Sequence, residues 1–173
     1  MNGGAWLTIQ GQRVDLIYRS LEHLERLISE VERGQYERHY GQQPLFGYFG
    51  PTYLGELSIA VPFLDPSGHV ARMQSRVAEY SEALRREIAQ NFLWSVEFPL
   101  HAFARKFARR GEVYLTASTI ARCVHALVRV LFALNRLHLL NDKTVLPEIS
   151  ACPLCSEDFR GRPFFRRALF SEV

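Results

Sequence analysis

The spacing of apolar residues changes period along this chain, and the change limits the folds open to it. Residues 5–10 and 12–19 alternate as strands do, and Gln10-Gly11 between them suits a tight hairpin turn in which glycine supplies the positive φ. From Ser20 onward, and most plainly after His69, apolar residues recur every three or four positions instead. Strands first and helices afterwards predict an α+β fold, mostly α: a short antiparallel β-hairpin followed by a helical bundle.

Pairing across the turn sets Ile9 opposite Gln12, Leu7 opposite Val14 and Ala5 opposite Leu16. One face of the ribbon is then Ala5, Leu7, Ile9, Val14, Leu16 and Tyr18; the other holds Trp6, Thr8, Gln10, Arg13, Asp15, Ile17 and Arg19. Asp15 is a poor strand residue, and it is flanked by two arginines. From residue type alone it reads either as an aspartate paired with Arg13 or Arg19, or as a metal-binding or proton-handling carboxylate. A hairpin alone is marginal in water, so these strands are expected to join a larger sheet, a partner or packed helices.

Ser20 with Glu22, Glu25 and the apolar series Leu21, Leu24, Leu27, Ile28, Val31 predicts a capped helix ending before Gly34. Residues 40–52 are turn-rich and aromatic, 52–60 suit a short helix, and VPFLDPSG is a turn or extended piece bounded by Pro62 and Pro66. Helices follow over 69–78 and from about 81 to 110, the second with Pro99 as a kink or break. The next, from 112 to about 140, places Val113, Ala117, Ile120, Val124, Leu127, Leu131, Leu134 and His138 at alternating spacings of four and three, the seam of a helix packed lengthwise. The expected organisation is a hairpin plus helix over 1–34, an aromatic connector over 35–68, a helical bundle over 69–145 and an irregular tail over 146–173.

A hydrophobic content of 47% supplies a real core, and 21 Lys+Arg against 18 Asp+Glu leave a net charge of +3, well short of a nucleic-acid coat. No apolar run approaches the roughly 20 residues that span a bilayer, and MNGGAWLTIQ lacks the basic and apolar regions of a signal peptide, so a cytoplasmic protein without membrane or nucleic-acid partners is expected. Cys152 and Cys155 form a lone CxxC; His69, His101, His125 and His138 show no matching ligand spacing, so the pair reads as free thiols.

The segment NGGAWLTIQGQRVDLIYRSLEHLERLI resembles the latter part of the catalytic sheet in nucleotidyltransferases of the DNA polymerase β type, especially the bacterial branch that includes aminoglycoside nucleotidyltransferases. The resemblance continues through GELSIAVPFLDPSG, ARKFARRGEVY and LVRVLFALN. It implies transfer of a nucleoside monophosphate from a nucleoside triphosphate to a small hydroxyl-bearing acceptor, with Asp15 as one Mg²⁺ ligand. In that family a Gly-Ser turn and an Asp-x-Asp pair precede the hairpin. No Gly-Ser followed by Asp-x-Asp occurs in this chain. One carboxylate leaves most of an octahedral Mg²⁺ shell unfilled, so the chain is expected to be inactive alone.

The resemblance also implies that the helical part shapes a substrate pocket. Arg105, Lys106, Arg109 and Arg110 cluster at a helix end, and Arg122, Arg129 and Arg136 repeat every seven residues; both read as a phosphate-facing wall or as solvated cations, with Lys106 the best candidate for a triphosphate. Tyr114 suits stacking on a base or acceptor ring, or a place in the core. Glu56 and Glu97 are candidate proton acceptors for the substrate hydroxyl. His125 reads as a packing residue and Asn135 as a hydrogen-bonding residue that fixes helix packing. The rival reading is a non-catalytic interaction module that self-associates, or pairs with a complementing chain, through the open edge and apolar face of the hairpin.

Overall fold

The computed structural model describes residues 3–39, 47–141 and 143–155. It is α+β and mostly helical, and it divides after Leu84 into two compact units.

In the first unit, β1 (Gly3–Ile9) and β2 (Gln12–Tyr18) form the hairpin in the expected register. Both turn residues lie in the left-handed region, Gln10 at φ 50° and Gly11 at φ 79°, the arrangement whose twist matches that of paired strands. Ser20 caps α1 (Leu21–Glu32): its hydroxyl accepts the His23 backbone N–H at 3.2 Å, meeting one of the donors that a helix start leaves open. A ribbon of two-residue strands, β3 (Arg38–His39) and β4 (Tyr48–Phe49), leads to α2 (Pro51–Ile59) and α3 (His69–Val77).

Leu24, Leu27, Ile28 and Val31 of α1 are buried against α2 and α3, whose contributions include Leu54, Leu57, Met73 and Val77. Leu21, expected on the same stripe, is exposed. Arg76 of α3 forks onto Glu32 of α1, and the Gln74 amide donates to the carbonyls of Leu57 and Ala60. These contacts place α3 with the first unit rather than with the helices that follow it. After α1 the chain turns at Gly34 (φ 77°), where a Cβ would stand 3.0 Å from the Ala83 carbonyl oxygen.

The hairpin contributes little to this core. Every residue of β2 is exposed, and of β1 only Ala5 is half-buried. Among the described residues the two strands pair only with each other.

The division between units falls within α4 (Glu82–Pro99). A π-helical turn (Leu100–Ala104), α5 (Arg105–Arg109), α6 (Val113–Leu134) and α7 (Val145–Ala151) complete the second unit. The expected break at Pro99 is that π turn: proline offers no N–H to the carbonyl four residues earlier, and the chain takes up an extra residue before helix resumes.

Two expectations are corrected here. Seam residues Val113, Ala117, Ile120 and Leu127 are exposed, while Cys123, His125, Ala126, Val128, Arg129, Val130, Phe132 and Ala133 are buried. The helix is apolar nearly all round, so spacing alone could not choose a face; its carboxyl-terminal half is enclosed and its amino-terminal half is not. It also ends at Leu134, short of residue 140, with Arg136 in the left-handed region at φ 55°. The second correction concerns the tail: Val145–Ala151 is helical, with Pro147 in the first turn where a missing N–H costs nothing. Val145 and Ile149 close a core with Val128, Phe132 and Leu139. The expectations for residues 40–46 and 156–173 lie outside the described residues.

At 22 residues α6 is long and apolar enough to cross a bilayer, with a mean hydropathy of 1.5 over its best window, where no such run was expected. It carries Arg122, His125 and Arg129 and packs on the π turn, α5 and α7, as the core helix of a folded unit does.

Candidate functional site

Asp15 sits at the centre of β2, directly across from Trp6, and is exposed to solvent. Neither Arg13 nor Arg19 forms an ion pair with it among the described residues. The strand alternation that puts Arg19 on the same face as Asp15 ends at Tyr18, and beyond it the Arg19 side chain turns to α2.

There Arg19 meets Glu56. Its Nη2 donates to both carboxylate oxygens, at 2.8 and 3.1 Å, and its Nε to one of them at 3.1 Å. Its guanidinium lies 4.1 Å from the centre of the Tyr53 ring. A planar fork that matches a carboxylate while lying over an aromatic ring is a guanidinium's geometry, and the point charge of an ammonium lacks the fork. Both oxygens of Glu56 are therefore engaged by a cation, which anchors α2 to the end of the hairpin.

From Tyr53 a set of aromatic and charged side chains extends across the first unit. Tyr53 packs edge-on against Tyr48 at 5.3 Å and His23 at 6.2 Å. Arg26 donates to Nδ1 of His23 at 2.8 Å, which fixes that nitrogen as the acceptor and leaves Nε2 as the one facing the Tyr48 hydroxyl at 3.4 Å and Glu37 at 3.8 Å. Glu37 also pairs with Arg26. Burial pushes the Tyr48 phenol well above its ordinary value, with Tyr53 and Glu37 adding to the effect and Arg19 and Arg26 opposing it. Of this group, Glu56 alone stands out in the sequence as a candidate site residue. The group spans the 37 positions from Arg19 to Glu56 and follows no motif, so only the fold brings its members together.

The remaining candidates lie in the second unit. Arg105, Lys106, Arg109 and Arg110 are exposed on and just after α5, and Tyr114 stands 80% exposed on the first turn of α6. Glu97 is exposed on α4. The seven-residue arginine repeat does not form one wall: Arg122 is exposed, Arg129 is buried with its guanidinium 5.2 Å from the Phe92 ring centre, and Arg136 lies beyond the helix end. His125 is buried, and desolvation, with Arg129 beside it, pushes its imidazole down to about 3, so it is a neutral packing residue at ordinary pH. Asn135 bridges α6 to the CxxC loop, donating to the Leu154 carbonyl at 3.0 Å and accepting the Leu154 N–H at 2.9 Å. Cys152 is buried, Cys155 half-buried, and both are free thiols.

Among the described residues no group of three or more His, Cys, Asp or Glu side chains could hold a metal ion. Asp15, with Trp6 opposite and an arginine two residues before it, supplies one carboxylate and no further oxygen ligand, so these residues do not by themselves fit Mg²⁺.

Residues 52–143, more than half of the chain, match the model of a family described as a domain of unknown function, DUF4037. No curated protein and no solved structure matches the chain.

Proposed function

We propose that this chain, which belongs to the DUF4037 family, is the carboxyl-terminal part of a nucleotidyltransferase-like protein, inactive alone and working in the cytoplasm. The observation that carries this reading is the hairpin. It exposes apolar side chains on both faces, Leu7 and Ile9 on one, Trp6 at 85% and Ile17 at 58% on the other, as a strand pair cut from a sheet covered on both sides would. The sequence resemblance then gives Asp15 its role: one Mg²⁺ carboxylate, the others coming from the polypeptide that completes the sheet. Lys106, Arg105, Arg122 and Tyr114 remain candidate contacts for the nucleoside triphosphate or acceptor. Three free thiols accord with a reducing compartment.

The test is complementation. The chain is co-expressed with a polypeptide carrying a Gly-Ser turn and an Asp-x-Asp strand, and pyrophosphate release is followed with each nucleoside triphosphate and a panel of hydroxyl acceptors. Mg²⁺-dependent release that disappears in Asp15→Asn is expected. Release unaffected by Asp15→Asn would refute the assignment.

The same exposed ribbon favours a second reading, a non-catalytic module that pairs through its free edges. Light scattering separates the two: a dimer that dissociates on Trp6→Ser and Ile17→Ser substitution favours the module, and a strict monomer counts against it.

A further inference from the structure

An aromatic ridge runs along the second unit and is not used by either reading above. Trp94 and Phe98 stack at 5.7 Å, Phe98 and Phe103 meet edge-on at 5.5 Å, and Phe103 and Phe107 stack at 6.0 Å. Their sequence spacing is four, five and four. In an uninterrupted α-helix the step of five would carry Phe103 off the line; the π turn after Pro99 absorbs the extra residue and keeps all four rings in register. The ridge is open to solvent, with Trp94 64%, Phe98 48% and Phe103 39% exposed.

The charge beside it changes along its length: exposed Glu97 stands three residues after Trp94, and the charge beside Phe103 and Phe107 is basic. Between Glu97 and Glu112 there is no carboxylate, while Arg105, Lys106, Arg109 and Arg110 follow the rings. Lys106 and Arg110 lie three residues after Phe103 and Phe107, on the flank of the stripe. The sole ion pair of this cluster among the described residues is a long one, Arg110 to Glu112 at 3.8 Å. The rings abut one another, stacked or edge-on, and form a continuous apolar ridge, which suits insertion between lipid headgroups better than the stacking of separate planar bases.

We propose that this edge of the second unit docks on an anionic lipid bilayer, with the ridge of Trp94, Phe98 and Phe103 entering the headgroup region while Lys106 and Arg110 meet the lipid phosphates. Aromatic rings beside cations are the combination that holds a helix in the plane of such an interface, and the cytoplasmic leaflet carries the matching charge.

The full chain is floated with vesicles of phosphatidylcholine alone and of phosphatidylcholine mixed with phosphatidylglycerol. Binding to the anionic vesicles that weakens with added salt is expected. Each basic residue near a charged surface contributes a few-fold in affinity, so Lys106→Glu with Arg110→Glu should weaken binding by about thirtyfold or more. Trp94→Ser with Phe98→Ser should weaken it at least about tenfold. All four residues are exposed, and circular dichroism checks that the variants fold. Equal binding to neutral vesicles, binding to single-stranded oligonucleotide in place of vesicles, self-association through the ridge without vesicle binding, or folded variants that bind as before would each overturn the proposal.

Discussion

Replacing Arg19 by alanine tests whether Glu56 is an anchor or a free proton acceptor. The substitution removes a forked ion pair and a cation lying over Tyr53. The contact distances are short, but Arg19 is 23% and Glu56 42% exposed, so solvent screening holds the ion pair near about 1 kcal/mol. The guanidinium over the ring adds about 0.5–1 kcal/mol. Arg19→Ala should therefore cost about 1.5–2 kcal/mol of the stability of the first unit. Glu56→Gln keeps the shape and an acceptor but loses the charge, and should cost about 0.5–1 kcal/mol. The two should couple by about 1 kcal/mol in a double-mutant cycle, read by urea unfolding. Amide exchange along β2 should also quicken in Arg19→Ala, because the pair is what ties the end of that strand to α2. An unchanged urea midpoint for Arg19→Ala, or coupling indistinguishable from zero, would refute the anchoring role.

Three further outcomes follow from the second unit. Ile149 is fully enclosed by Val128, Phe132 and Val145, so Ile149→Ala should destabilise by about 2–5 kcal/mol in chemical denaturation. His125 has a folded-state pKa depressed from 6.5 to about 3 by burial and by Arg129. Its contribution to stability is fully present above the unfolded pKa and is lost as pH falls from there toward about 3; His125→Gln should flatten that part of the pH–stability curve. Asn135→Ala removes both bonds to the Leu154 backbone and should cost about 1–3 kcal/mol, with faster labelling of the Cys155 thiol as its direct readout.

What could be read from the residues was local. Ser20 before an amphipathic run, Gly34 after it, Gln10-Gly11 between alternating strands and Pro99 within a helix each act over a few positions, and each appears in the structure where its chemistry puts it. What could not be read depended on which neighbour arrives. α6 is apolar on most of its surface, so its spacing suggests a seam along Val113, Ala117, Ile120 and Leu127 that the packing leaves in solvent. Arg19 alternates onto the Asp15 face in sequence, yet a carboxylate and a tyrosine ring on α2 offer it two oxygens and a π face together. Asn135 was legible as a hydrogen-bonding residue, but its partner, the Leu154 backbone, was not. The short helix α7 is not legible in the sequence because Pro147 reads as a breaker until its place in the first turn is known.

The central claim is that Asp15 belongs to a sheet and a metal site that this chain only partly supplies. Turnover by the isolated chain tests it most directly, with Mg²⁺, each nucleoside triphosphate and a panel of hydroxyl acceptors, reading pyrophosphate release beside nucleotide binding by calorimetry. No release and no saturable Mg²⁺-dependent binding are predicted. Release from the isolated chain that Asp15→Asn abolishes would contradict the account, because a single carboxylate on an exposed ribbon would then suffice.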